Sequence, residues 1–154
     1  LPLSGTRKPF QFLKTPFSER WGQFSPDGRW IAYTSTESKQ SEIYVVPFRA
    51  GESAPGGKRQ ISTAGGSHPR WRSDGEELYY IGLDGKLMAV GINIKGDTPV
   101  IGTVRPLVGP LPTNRGYAYD ISKDGQRILA VVEPALMTGE PLTLVQNWSA
   151  GVKK

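Results

Sequence analysis

The turn Ser25-Pro26-Asp27-Gly28 is the first place where this sequence could hold reactive groups. A serine beside a carboxylate suggests a nucleophile or a metal loop, but a calcium loop needs several acidic ligands and this turn has one. Proline presets the first corner of a turn, aspartate bonds to nearby backbone amides, and glycine adopts φ > 0 without strain. The turn is therefore predicted to be a hairpin bend and not a catalytic or metal site.

Nucleophilic catalysis has little support elsewhere in the chain. His68 is the single histidine of the 154 residues, and the sequence has no G-x-S-x-G elbow and no cysteine. His68 is expected at the start of an inner strand and is followed by Pro69, and this position favours a structural role for the histidine. The adjacent acids Glu76 and Glu77 lie beside a bend, so they do not indicate a pair of catalytic carboxylates. We predict no catalytic residue, no metal site and no cofactor.

A second set of residues suits binding, because it combines aromatic, amide, guanidinium and carboxylate groups. Such groups around one opening can bind a peptide, a sugar or an acidic tail. The residues of this set are Arg20, Trp21, Gln23, His68, Arg70, Tyr117, Tyr119 and Asp120. The alternative is that they only fill and solvate a channel. They are far apart in the sequence, so only a repeating architecture would bring them together.

Three stretches of the chain follow the same pattern. The turns FSPDG, WRSDG and ISKDG place an acid at Asp27, Asp74 and Asp124, at intervals of 47 and 50 residues. Repeats of this length are typical of propellers and solenoids. Each copy continues with short runs rich in β-branched and aromatic residues, bounded by turn-forming residues, as in β-strands. No long amphipathic helical pattern occurs, which excludes a solenoid of helix pairs.

Each repeat is predicted to be a four-stranded antiparallel meander, the blade of a β-propeller. The blades are expected at 20–62, 67–108 and 117–148, the last without its outer strand, within a single all-β domain over 1–154. The first strand of each propeller blade lines the central channel, so the binding set falls at the channel mouth. The segment 7–15 is predicted to be an extended outer strand that closes a blade.

Several of these stretches resemble a known family. FSPDGRWIAYTS, HPRWRSDGEELYYIG and YDISKDGQRILAV are similar to the TolB-type, WD-like β-propeller repeat. The ending PLTLVQNWSAGVKK resembles the last blade of propellers at the C-termini of bacterial serine/threonine kinases. The resemblance implies a non-catalytic binding or scaffolding module of a signalling protein, with the propeller outside the cytoplasm. No kinase motif occurs here, so kinase activity would belong to another domain. The alternative is a hydrolase or lyase acting at the channel mouth.

Three blades are too few to close a ring, since propellers typically have at least four. Two copies would supply six blades, the number common in TolB-like propellers. We therefore predict a homodimer in which each 7–15 segment completes the other chain's last blade. The alternative is that further blades of a longer parent chain close the ring. The net charge of +5 is dispersed, and no 18-residue apolar stretch occurs, so nucleic-acid and membrane contacts are not expected.

Overall fold

The computed structural model describes residues 8–54, 56–95, 98–111, 116, 118–131 and 145–146. Within those ranges the chain forms eleven β-strands, and no helix there is long and apolar enough to cross a membrane. The strands belong to three antiparallel sheets in which neighbours in sequence are also neighbours in the sheet. This meander is the arrangement that the sequence pattern predicts.

Two blades are described in full and the third in part. The first blade consists of β1 (Glu19–Phe24), β2 (Trp30–Ser35), β3 (Glu42–Pro47) and β4 (Arg59–Gln60). The second consists of β5 (Ser67–Trp71), β6 (Glu77–Ile81), β7 (Leu87–Lys95) and β8 (Thr98–Val108). The third contains β9 (Tyr119–Ile121), β10 (Arg127–Ala130) and β11 (Val145–Gln146). The prediction of an all-β chain with four-stranded antiparallel blades is confirmed in the first two sheets.

The strand bounds differ from the predicted spans in detail. The first sheet begins at Glu19, one residue before the span 20–62, and its outer strand ends at Gln60. The second sheet begins and ends with the span 67–108, and its outer strand β8 pairs with β7 along most of its length. The predicted lack of an outer strand in the third blade, 117–148, concerns residues outside the described ranges.

The hydrophobic cores lie between the blades, because side chains alternate along each central strand. In β6, Leu78 and Tyr80 face the first blade, whereas Tyr79 and Ile81 face the third, and all four are 0–3% exposed. Ile128 of β10 packs against the same side of the second blade as Tyr79. Successive strand residues point to opposite faces, so a sheet that is apolar at every position needs a partner on both faces.

The far face of the first blade, which is directed away from the second blade, packs against the N-terminal segment at 8–15. The buried residues of this face are Tyr33, Tyr44 and Val46. Phe12 and Leu13 of the segment are half-buried against them, and the carbonyl of Phe12 accepts a 2.7 Å hydrogen bond from the backbone N–H of Ala54. Residues 8–15 belong to no strand of this single chain. The pairing of 7–15 with another copy's last blade therefore stays a prediction.

The first hairpin of each blade has the structure predicted for the acidic turn. Ser25 Oγ donates to Asp27 Oδ1 at 2.6 Å, and the backbone N–H of Arg29 donates to the same oxygen at 3.1 Å. Ser122 and Asp124 repeat the first contact in the third blade. The hydrogen bond from Ser25 is the main reason why the pKa of Asp27 falls to about 2. The acid bonds to a backbone amide as the sequence predicts, whereas the contact from the serine hydroxyl was not predicted, and the second hairpin has Arg72 in place of this serine.

Candidate functional site

The first strands of the three blades, β1, β5 and β9, carry the residues predicted to line the channel mouth. Trp21 of β1 and His68 of β5 occupy equivalent positions of their repeats, 47 residues apart. Their ring centroids lie 4.2 Å apart, with an angle of 31° between the ring planes. The phenol of Tyr119 in β9 donates a 2.6 Å hydrogen bond to the backbone carbonyl of His68. Side-chain contacts thus join the first strands of all three blades.

Trp21 and His68 share an uncommon backbone conformation. Their φ angles are 59° and 56°, in the left-handed region that disfavours residues with a Cβ. Each residue lies where the strand register shifts, between Arg20 and Gln23 in β1 and at the equivalent point of β5. A β-bulge of this kind bends the strand and re-aims a side chain. The two bulges therefore accompany the contact between the two rings.

Arg70 and Asp120 place opposite charges close to this ring pair. Arg70 lies two residues after His68, and its Nε is 3.6 Å from Oδ1 of Asp120. The Arg70 side chain is 25% exposed and that of Asp120 is 61% exposed. An ion pair with this exposure contributes less than about 1 kcal/mol to stability. The Nε of Arg70 is buried, but the rest of its side chain is partly exposed and Asp120 is well exposed, so a ligand carboxylate can take the place of Asp120.

The environment of His68 keeps its imidazole neutral at neutral pH. The residue is 3% exposed, and this burial lowers its pKa from the usual 6.5, while a hydrogen bond with the backbone of Gly116 acts in the opposite direction. Its Nδ1 lies 2.9 Å from Oγ of Ser67. These contacts fix the orientation of the ring that stacks on Trp21.

The structure brings five of the eight predicted mouth residues into these adjoining contacts. We call them the mouth cluster: Trp21, His68, Arg70, Tyr119 and Asp120. Arg20 is exposed, and its Nε donates to Oγ of Ser18 at 3.1 Å, away from the cluster. Gln23 is half-buried in β1, opposite Ala32 of β2. Tyr117 lies outside the described residues.

In the described part of the chain, Ser67 and Gly116 also contact His68, and neither is among the eight predicted residues. Ser67 precedes His68 in the chain, so its polar side chain could have been included on proximity alone. Gly116 belongs to the connection between the second and third blades, and no sequence signal relates it to His68. The left-handed backbone was also not predicted, although the shared repeat position of Trp21 and His68 was visible in the alignment.

A cleft of about 620 Å³ lies at the other end of the inner strands, beside the first hairpins. Its lining includes the carboxylates of Asp27, Asp74 and Glu76. Each of these contacts an arginine of its own turn, Arg29 for the first and Arg72 for the other two. In the ranges that the structure describes, no group of three or more His, Cys, Asp or Glu residues could hold a metal ion.

The fold and the site together define the class of this protein: a β-propeller fold whose inner strands carry the mouth cluster. No protein-family model matches the chain, and no curated protein matches it. Among solved structures, a candidate 6-phosphogluconolactonase from Bacteroides uniformis is 19% identical, with a TM-score of 0.56 over 77% of this chain and 34% of that chain. TolB from Acinetobacter baumannii is 18% identical, with a TM-score of 0.41 over 95% of this chain and 45% of that chain.

This chain spans less than half the length of either structural neighbour. At 19% identity, the first likeness shows a shared fold and nothing of activity. The TM-score of the second is too low to carry an argument, so the TolB-type repeat remains a resemblance in sequence. The resemblance to the propellers of serine/threonine kinases likewise stays a prediction.

Proposed function

We propose that this chain is a non-catalytic binding module whose ligand or partner protein contacts the mouth cluster. The observation that supports this is the left-handed backbone of Trp21 and His68 at equivalent points of two blades. Each such conformation costs roughly 1–2 kcal/mol in a residue with a Cβ. Backbone strain of this kind is concentrated at ligand sites, where the surrounding structure enforces it. A regular strand would fill the same space without this cost.

The exposed groups of the mouth cluster suggest the chemistry of the ligand. Trp21 is half-buried, so part of its indole can stack on a flat or apolar group. Arg70 can exchange Asp120 for a carboxylate of the ligand, because the existing ion pair is long, at 3.6 Å. An acidic peptide segment combines both features, and we favour it over a sugar, which would use the indole without the guanidinium.

Arrays of short acidic and neutral peptides and of glycans, probed with the labelled chain, would test this proposal. We expect selective retention by acidic peptides. Replacing Arg70→Gln should weaken that binding roughly 10- to 100-fold, because a hydrogen bond to a charged group contributes about 1.5–3 kcal/mol. Retention by glycans alone would contradict an acidic peptide as the ligand and indicate a sugar.

Arg29→Gln is the matched control for this experiment. It removes the same charge from a side chain that is 63% exposed in the first hairpin of the first blade, away from the mouth cluster. Equal affinities of the Arg70→Gln and Arg29→Gln variants would contradict a site at the mouth cluster. Far-UV circular dichroism of both variants would identify any loss of folded structure.

A hydrolase or lyase acting at the mouth cluster is the second candidate. His68 is the single histidine of the sequence and lies in the mouth cluster, so it is the imidazole to test as a general base. The structural neighbour described as a candidate 6-phosphogluconolactonase makes a sugar lactone the first probe to use. Proton release from gluconolactone would be compared for the chain and its His68→Gln variant. Turnover that His68→Gln abolishes would favour the enzyme, whereas peptide binding without turnover favours the module.

We further propose that the module is the sensor or scaffold part of a bacterial signalling protein. This rests on the resemblance of the ending PLTLVQNWSAGVKK to kinase-linked propellers. Sequencing the reading frame upstream of Leu1 would test it. A kinase domain followed by a membrane span is expected, and a frame that encodes only further blades would contradict it.

A further inference from the structure

The far face of the third blade, which is directed away from the second blade, exposes two apolar side chains. Leu129 is 59% exposed and Val131 is 43% exposed. The equivalent residues of the second blade, 50 positions earlier, are Tyr79 and Ile81. These two are 1% and 0% exposed, because the third blade packs against them. The same repeat positions are therefore buried where a described blade packs against them and exposed on the far face of the third blade.

The first hairpins of successive blades also contact one another in a repeating way. Gly75 of the second hairpin lies against Pro26 of the first. Ser73, which is equivalent to Pro26, donates its hydroxyl proton to the backbone carbonyl of Lys123 in the third hairpin. At Gly28 of the first hairpin, no atom of the described chain lies within 4 Å of the position of a Cβ. The Gly28 side of the first hairpin therefore lacks, within the described chain, the contact that Gly75 makes in the second hairpin.

We propose that the far face of the third blade docks the first blade and N-terminal segment of a second copy of this chain. Two such junctions close one ring from two chains, because each copy supplies both halves of the contact. Leu129 and Val131 then have the environment that Tyr79 and Ile81 already have within the chain. Lys123 lies against the first hairpin of the partner, continuing the contact between the second and third hairpins.

A second copy fits this face because both halves of the junction continue contacts that this chain already makes. Phe12 and Leu13 cover the far face of the first blade. Residues that follow an outer strand occupy the same kind of place between the first and second blades. Ile61, directly after β4, is the internal example, since it packs between those two blades. The segment at 8–15 can therefore stay on its own first blade while it completes the neighbour's third blade.

Sedimentation equilibrium would test the proposal at about 1 to 100 µM, where interfaces of ordinary strength associate. The measured mass of the species in solution should be twice the 16.8 kDa of one chain. The double variant Leu129→Asp/Val131→Asp should raise the dissociation constant at least roughly 100-fold, because it places unpaired charges in an apolar junction. The replaced side chains are exposed in the single chain, so the variant should keep its far-UV circular dichroism spectrum.

Leu83→Asp is the matched control, because Leu83 is 78% exposed but lies in the hairpin after β6. This variant should remain a dimer. A monomeric unaltered chain at 100 µM would overturn the proposal and indicate that blades of a longer parent chain cover the face. Open polymers would overturn closure by two copies, and equal effects of both Asp variants would overturn the assignment of the surface.

Cross-linking gives a second test that does not depend on dissociation. The chain has no cysteine, so Pro26→Cys combined with Lys123→Cys introduces a single pair of thiols. These positions belong to the first and third blades, with the second blade between them, and a disulfide needs Cα atoms within about 7 Å. Oxidation should yield a covalent dimer on a non-reducing gel. The control pair Leu83→Cys/Lys123→Cys should stay monomeric, and a covalent dimer from the control alone would overturn the proposal.

Discussion

The far faces of the first and third blades are both apolar, but one is covered by the same chain and the other is exposed. Both belong to sheets whose central strands are apolar at successive positions, so neither face is suited to water. On the first blade, Phe12 and Leu13 of the same chain cover the face. On the third blade, Leu129 and Val131 remain exposed. The difference shows that cover for a blade depends on what packs on it and not on the repeat motif itself.

The largest expected difference in the free energy of unfolding is between two aliphatic-to-alanine variants, one at a covered position and one at the equivalent exposed position. Ile81→Ala should lower the free energy of unfolding by about 2–5 kcal/mol, because Ile81 is fully buried between the second and third blades. Val131→Ala, at the equivalent position of the third blade, should cost less than about 0.5 kcal/mol. Urea unfolding at sub-micromolar concentration, followed by tryptophan fluorescence, measures both. Equal losses would remove the distinction between the two faces.

The cover on the first blade can be tested directly. Phe12→Ala should lower the free energy of unfolding by about 1–2 kcal/mol, because the half-buried ring packs on Phe48 with centroids 5.3 Å apart. It should also increase the binding of a hydrophobic dye to the newly exposed far face. Lys14→Ala in the same segment is exposed and should change neither measurement. Unchanged stability of the Phe12→Ala variant would mean that the segment does not contribute to the first blade.

The turn glycines extend the comparison to the hairpins. Gly28→Ala and Gly125→Ala both force alanine to φ near 70°, at roughly 1 kcal/mol each. At Gly125 the added Cβ would lie 2.7 Å from Cδ of Arg72, whereas at Gly28 it meets no described atom within 4 Å. Gly125→Ala should therefore lose up to about 1 kcal/mol more than Gly28→Ala in urea unfolding. A larger loss at Gly28 in the monomer would contradict this geometry.

The smallest effect is expected from the turn acids at low pH. The pKa of Asp27 is lowered from 3.8 to about 2, so its stabilising contribution is present above 3.8 and is lost as the pH falls towards 2. Because the side chain is 42% exposed, this contribution is below about 1 kcal/mol. Unfolding free energies measured across this pH range should show a flatter profile for Asp27→Asn. Asp124→Asn should flatten the profile in the same direction, since the hydrogen bond from Ser122 and the backbone N–H of Gln126 lower the pKa of Asp124.

The local elements could be predicted because each depends on neighbours in the sequence. The Ser-x-Asp-Gly turn is stabilised by hydrogen bonds between residues two to five positions apart. Ser25 Oγ donates to Asp27 Oδ1 and accepts from the backbone N–H of Trp30. The strands follow from apolar runs between such turns, and the meander follows from short connections. The β-bulges at Trp21 and His68 could not be predicted, because a bulge is defined by the register of two paired strands.

The sequence by itself determined the repeat, the turns, the all-β meander and a set of polar and aromatic residues on the inner strands. Each of these depends on residue type and short-range spacing. Only the tertiary structure decided that Trp21 stacks on His68, that Tyr119 reaches the His68 carbonyl, and that Phe12 covers one far face. Those contacts join residues from different blades, or the N-terminal segment and a blade, so they depend on how the sheets pack and not on spacing along the chain.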